Sequence, residues 1–293
     1  MSLSKPTASH NGETADITLK VAAVPFDTQW ADVSRNIDNA SATLDRIEPG
    51  TDIVVFPELF TTGFIVDPQL LDEIAEPCDG RTMRWAAAMA RKYNFAIASS
   101  FLARHNGEYL NTAFFIEPSG KATFYDKRHL FCLSPEARLY GQGHNEMPVV
   151  SFRGWNVAMI ICYDLRFPVW CRNDSQRYDI MLVPANWPTA RGFAWHHLLV
   201  ARAIENQTPW VGADRSGSDD YGDYNGLAEI VDAMGKTVAK PSDDNPSATL
   251  YAVFSKNQLE RYRGKLPVGA DADSFSIIPK SPLTAPRTDI ILE

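Results

Sequence analysis

Within its first sixty residues the chain changes hydrophobic period twice. Ile17 to Pro25 is a valine-rich apolar run ended by proline, which reads as a buried strand. Val33, Ile37, Ala40, Leu44 and Ile47 then recur at helical spacing, Pro49-Gly50 closes that segment, and Asp52 to Pro57 is a second β-branched run. Strand, helix and strand in immediate succession restrict the chain to an α/β architecture in which helices cover sheets.

The same alternation continues. Thr82 to Tyr93 is rich in alanine and methionine, with cations near its end where they suit the helix dipole, and it feeds a strand from Phe95 to Leu102. Tyr109 to Glu117 and Ala122 to Asp126 flank Pro118-Ser119-Gly120, a hairpin-like turn. Beyond a loop rich in Gly, Pro and charge from Leu133 to Met147, strands are expected at Val149 to Phe152, Asn156 to Ile161, Ile180 to Pro184, Trp210 to Ala213, Leu227 to Val231 and Leu250 to Phe254. A helix is expected from Phe193 to Gln207. No composition break or repeat divides the chain, so one domain is expected over residues 17–264. The polar residues 1–16 read as a disordered leader, and residues 265–293 as a proline-rich extension too irregular to pack as a helix.

At 293 residues such a domain buries a core that needs no staples. The 36 acidic and 28 basic residues give a net charge of -8, and without a basic block they argue against nucleic acid or an anionic membrane as the main partner. Runs such as Ile53 to Pro57 and Val157 to Cys162 fall short of the roughly 18 apolar residues of a membrane span. With no secretory-type segment at the start, a cytoplasmic setting is expected, and with it four free thiols, Cys78, Cys132, Cys162 and Cys171. The Asn-x-Ser/Thr triplets at Asn39, Asn173 and Asn206 are then not expected to be glycosylated. No C-x-x-C pair suggests zinc, and the neighbours His196 and His197 would point about 100° apart on a helix, so no metal site is expected. Gly235-Lys236-Thr237 lacks the earlier glycine of a phosphate loop, where Ile230 stands, and Gly141-Gln142-Gly143 lacks the third glycine of a dinucleotide fingerprint.

Three polar residues stand directly after apolar strands, where α/β proteins bind ligands. Glu58 follows Ile53 to Pro57, Lys127 follows the run that ends at Asp126, and Cys162 follows Val-Ala-Met-Ile-Ile. Singly, each has an ordinary explanation: a solvated turn glutamate, a surface lysine, a buried small thiol. Jointly they supply a nucleophile, a base to take its proton, and a fixed positive charge for an oxyanion, without histidine. They would meet at one rim if their strands lay side by side.

The surrounding blocks are Phe-Pro-Glu58-Leu-Phe-Thr-Thr-Gly-Phe, Tyr-Asp-Lys127-Arg-His-Leu-Phe and Ile-Ile-Cys162-Tyr-Asp-Leu-Arg-Phe-Pro, with separations 127 - 58 = 69 and 162 - 127 = 35. In order and spacing they resemble the three catalytic blocks of the nitrilase (carbon-nitrogen hydrolase) superfamily. The resemblance runs from about Thr18 to Tyr262. Pro-Ala-Asn-Trp187-Pro and Ala-Arg-Ala-Ile-Glu-Asn-Gln are most similar to its omega-amidase branch.

The resemblance implies a four-layer α-β-β-α sandwich, paired into a homodimer, with no metal or organic cofactor. It implies that Cys162 is the nucleophile, Glu58 the general base, and that Lys127 with the backbone N–H of Tyr163 stabilises the oxyanion. Relatives carry a second glutamate after the lysine; Glu136 is the candidate and Glu146 the alternative, because Cys132-Leu133-Ser134-Pro135 departs from the omega-amidase pattern. Trp187 is expected as a pocket wall, with core packing as the plainer reading, and Phe64 and Phe131 as companions. Arg166 is placed like an arginine that binds substrate carboxylate in carbamoyl-amino-acid hydrolases, or else makes a structural ion pair. Cys132 is a pocket residue or simply a buried thiol. The implied activity is hydrolysis of the terminal amide of a small dicarboxylic acid monoamide such as 2-oxoglutaramate. The alternatives are a carbamoyl hydrolase, another aliphatic amidase, or a nonenzymatic metabolite-binding module. Nitrilase activity is disfavoured because Tyr163-Asp164 stands where nitrilases usually have Trp-Glu.

Overall fold

The computed structural model describes residues 16–242, 244–278 and 290–292. The chain runs through β1 (Thr18–Ala23), α1 (Val33–Leu44), β2 (Ile53–Val55), α2 (Pro68–Ile74), α3 (Arg81–Tyr93), β3 (Ala96–His105), β4 (Glu108–Ile116) and β5 (Lys121–Asp126). After α4 (Glu136–Leu139) come β6 (Val149–Phe152), β7 (Trp155–Met159), α5 (Pro168–Cys171), β8 (Ile180–Ala185), α6 (Gly192–Asn206) and β9 (Trp210–Asp214). The remainder is β10 (Ser216–Asp219), β11 (Gly222–Asn225), β12 (Glu229–Val231), β13 (Thr237–Ala239), β14 (Leu250–Ser255), α7 (Lys256–Lys265) and β15 (Ile290–Ile291).

Two mixed sheets result. One has the order β14-β1-β2-β3-β4-β5-β15, the other β13-β12-β9-β8-β7-β6, and β10 and β11 form a separate hairpin. Each large sheet has parallel pairs at its centre, β1-β2-β3 and β7-β8-β9, and antiparallel strands outside them. Side-chain alternation along the strands makes the layers. Leu19, Val21 and Ala23 of β1 join Val157, Met159 and Leu182 in a core between the sheets. Ala22 and Val24 face the other way, onto Ala40, Leu44, Met83 and Ala87 of α1 and α3. On the far side, α6 adds Trp195, Leu199 and Ala203 to the second sheet's packing. The result is the α-β-β-α sandwich.

Local signals start and stop the helices. Asp32 and Asp67 accept backbone N–H bonds at the starts of α1 and α2, as does Ser255 at the start of α7, while α3 and α6 end on left-handed Asn94 and Gln207. The caps of α2 and α7 were the readable sign of two helices that apolar periodicity does not reveal. In α7 only Leu259 and Arg263 are buried, so its helical stripe is too narrow to stand out. Gly120, at φ +87, closes the β4–β5 turn. Pairing there is symmetric about Ser119: Ile116 faces Ala122 and Thr112 faces Asp126.

The extension contributes an element that proline-rich irregularity did not suggest. Ile290–Ile291 adds an edge strand to β5, and Leu292 is buried against the α3 side of the sheet. The leader expected over residues 1–16 lies outside the described residues except for Asp16, whose carboxylate accepts the Asn257 N–H at 3.1 Å.

Candidate active site

Glu58, Lys127 and Cys162 come together, but not because their strands are neighbours. The strands leading to Glu58 and Lys127, β2 and β5, are separated in their sheet by β3 and β4, and Cys162 follows β7 of the opposite sheet. The expectation of side-by-side strands is therefore corrected: the three residues converge across the gap between two stacked sheets, because all three strands end on the same side of the sandwich.

The chain turns sharply where it leaves two of these strands. Leu59, next to Glu58, has φ +49, and Cys162 itself has φ +44 as the first residue of a 3₁₀ turn that reaches Arg166. Non-glycine residues adopt this left-handed region at a cost, so surrounding bonds must hold them. Buried Asp164 does so for the cysteine turn. Its carboxylate accepts the backbone N–H groups of Ile161 at 3.1 Å and His129 at 2.9 Å, and the Tyr125 hydroxyl at 2.8 Å.

The floor of the site is dry and fully connected. Glu58 is 1% exposed, Lys127 2% and Glu136 0%. Lys127 Nζ donates to Glu58 Oε1 and Glu136 Oε1, both at 2.8 Å. Glu58 also accepts Asn111 Nδ2 at 2.7 Å and the Asn186 backbone N–H at 2.9 Å. Glu136 Oε2 accepts the Phe131 N–H at 2.6 Å. The Cys162 side chain borders the same cavity as Glu58, Lys127 and Asn186, and the Glu58 and Lys127 charges both act on its thiol.

These contacts set the protonation states. Burial, then the adjacent Glu58 charge, pushes the Cys162 thiol well above its ordinary range, outweighing opposite pulls from Lys127 and the Asn186 N–H. Burial pulls Lys127 down, but the charges of Glu136, Glu58 and Cys162 more than reverse it, leaving the ammonium well above its ordinary value. Glu136 is raised, by burial first and by Glu58, against the pull of Lys127. The resting arrangement is thus a neutral thiol beside a carboxylate that shares a firmly held ammonium.

Above this floor is a cavity of about 290 Å³, at the small end of the roughly 300–1,000 Å³ typical of small-molecule sites. Phe64, Phe131, Tyr163, Arg166 and Trp187 all line it. Trp187 is only 3% exposed and packs on Trp195 at 5.3 Å, so it serves both as wall and as core. Glu136 is joined to Lys127, whereas the alternative Glu146 is exposed and borders a different cavity. Cys132 is exposed and does not line this cavity, so it is neither the buried thiol nor the pocket residue expected.

Several site residues escape sequence reasoning. Asn111 lies inside β4 with no local peculiarity, yet pairing symmetric about Ser119 puts it opposite Lys127, whose N–H donates to the Asn111 carbonyl at 2.9 Å. The turn position was a usable signal. Tyr221 and Tyr224 reach the pocket from the β10–β11 hairpin, which is held by Arg215 through Asp219 at 2.5 Å and the Thr28 carbonyl at 3.2 Å. Arg191 also lines the mouth.

A model of the carbon-nitrogen hydrolase family matches residues 20–264. The chain belongs to that family. It is therefore an enzyme that hydrolyses carbon-nitrogen bonds. It is 36% identical over 260 residues to the omega-amidase YafV of Escherichia coli K12, covering 88% of this chain and 98% of the relative. It is 33% identical over 224 residues to the 2-oxoglutaramate amidase of Bacillus subtilis, covering 75% of this chain and 85% of that one. Among solved structures, a CN-hydrolase superfamily protein of Xanthomonas campestris with an arsenic adduct in its active site superposes with a TM-score of 0.84 at 33% identity. That match covers 90% of this hydrolase and all of the Xanthomonas chain, at 100%.

Proposed function

We propose that the hydrolase cleaves the terminal amide of a short dicarboxylic acid monoamide, such as 2-oxoglutaramate, through a thioester on Cys162 with release of ammonia. The observation that carries this reading is that Glu58, bonded to Lys127, and Cys162 border one small pocket. The relatives named omega-amidase and 2-oxoglutaramate amidase support the substrate class.

Because the thiol rests protonated, attack on the amide carbon requires proton transfer in the same step. Glu58 accepts the Sγ proton as the carbon-sulfur bond forms. The oxyanion that develops faces the Lys127 ammonium and the Tyr163 backbone N–H, fixed charges that need no reorganisation. When the tetrahedral species collapses, Glu58 returns the proton to the departing nitrogen, which leaves as ammonia. Water, deprotonated by Glu58, then adds to the thioester; a second collapse frees the acid and restores the thiol. Glu136 holds the lysine throughout, and the dry floor keeps stray water from the first step.

The family resemblance further supports a homodimer in the cytoplasm, and the match over 20–264 supports one hydrolase domain over residues 17–264 followed by an extension over 265–293. The test is ammonia release from 2-oxoglutaramate and related monoamides by the wild type and by Cys162→Ala. Loss of at least about 10⁴-fold in the variant is expected, as for deletion of a nucleophile; undiminished turnover would sink the thioester. Carbon dioxide released along with ammonia from N-carbamoyl amino acids, in preference to monoamides, would instead assign a carbamoyl hydrolase.

A further inference from the structure

Two guanidinium groups stand at the mouth of the pocket without an acidic partner among the described residues. Arg166 lies 4.7 Å from the centre of the Trp187 ring, and Arg191, just before α6, lies 5.2 Å from the centre of the Phe131 ring. Trp187 connects them, because its Nε1–H donates to the Arg191 carbonyl at 2.9 Å while its ring carries Arg166. Both cations are therefore held by aromatic faces. A guanidinium held that way keeps its N–H fork free for a planar anion, which a carboxylate partner would occupy.

The charge balance around the cavity points the same way. Its lining contains three cations, Lys127, Arg166 and Arg191, and one acid, Glu58. The lysine is consumed by Glu58 and Glu136, and the arginines are not. In a chain with more acidic than basic residues, two uncommitted cations at one opening are a selective feature rather than an average of the surface.

We propose that Arg191 is a specificity-determining residue that, together with Arg166, receives the carboxylate end of the substrate and turns away amides carrying an α-ammonium. This rests on the monoamide reading above. With its amide carbon at Cys162, a dicarboxylic acid monoamide directs its free carboxylate toward the mouth. There two guanidinium forks can share the carboxylate oxygens, and a 2-oxo group adds a further acceptor in nearly the same plane. Glutamine has the same reach and the same amide but places an ammonium beside that carboxylate. The arginines repel it, and the lining has no uncommitted acid to receive it.

The test uses the full-length enzyme with glutaramate, its neutral analogue pentanamide, and glutamine, following ammonia. For Arg191→Gln the expected result is a KM for glutaramate raised about tenfold, with kcat within about threefold, the scale of one charge-assisted contact. The effect on pentanamide should be below about threefold, the preference for glutaramate over glutamine should narrow, and Arg191→Lys should recover part of both. Equal losses on glutaramate and pentanamide would show a structural effect and overturn the proposal, as would an unaltered KM for glutaramate. A wild type that prefers pentanamide to glutaramate would overturn the monoamide reading itself, whereas a wild type that prefers glutaramate with an indifferent variant would overturn only the role of Arg191.

Discussion

The floor and the mouth of this pocket treat charge in opposite ways. At the floor, Lys127 is shared by Glu58 and Glu136, and every carboxylate oxygen of that pair of acids has a donor. At the mouth, Arg166 and Arg191 lie on aromatic rings and have no acidic partner among the described residues. Buried ions must be paired to exist at all, so the floor's partners fix its geometry before substrate arrives. Charges at a wet rim can remain uncommitted at little cost, so they are available to a ligand. On the proposed reading the floor serves reaction and the mouth selection, and a substitution should therefore damage fold and rate together at one and recognition alone at the other.

Lys127→Met attacks the floor where the effect should be largest. It leaves two buried carboxylates facing each other, a cost of about 3–5 kcal/mol for breaking a buried pair, and it removes the oxyanion's cation. Turnover should fall by at least about 10³-fold, and urea melts should show the destabilisation. Its pH dependence has a definite sign. Glu136 is already raised above its ordinary value of 4.5 in the folded protein, and without the lysine it rises further. A carboxyl raised on folding favours the folded state below its unfolded pKa, and that advantage is lost as pH rises through the folded value. Both proteins lose this advantage together just above pH 4.5, so the gap between variant and wild type should widen only above the wild type's own raised Glu136 value; a gap constant from pH 4 to 8 would break the account of the floor.

Arg166→Gln tests the other side. It should raise KM for an anionic monoamide about tenfold, while unfolding free energy stays within about 0.5 kcal/mol of wild type. A large loss of stability would mean that the arginine is a structural element, and the contrast between floor and mouth would fail. The smallest expected signal is an absence. Because the Cys162 thiol is held well above its ordinary range, kcat/KM should show no step near pH 8.5, where an unperturbed thiol ionises. A rise there, matched by the rate of Cys162 alkylation, would mean that the reactive species is a preformed thiolate.

Much of the site was legible because strand ends are local features. Apolar runs that stop at Pro57, Asp126 and Ile161 mark where a following polar residue reaches the sheet edge, and the blocks around Glu58, Lys127 and Cys162 carried the family resemblance. Glu136 was readable only as one of two choices, since what decides it is a 2.8 Å contact with Lys127 rather than its place in a loop. Asn186, by contrast, was legible only as part of the Pro-Ala-Asn-Trp187-Pro block; its bond to Glu58 comes from a backbone N–H, which any non-proline residue could offer. The tyrosines of the β10–β11 hairpin were missed because four-residue strands with only Ser216 and Tyr224 buried show no hydrophobic alternation.

The sequence by itself determined the central strands, the helices α1, α3 and α6, their order and the chemical types placed at three strand ends, because hydrophobic period and turn residues act over a few residues at a time. The tertiary structure alone decided that Cys162 belongs to a different sheet from Glu58 and Lys127, that one ammonium is divided between two acids, and that two arginines are left uncommitted. Those are facts of distance across a packed interior, where a partner 69 or 128 residues away in the chain counts the same as a neighbour.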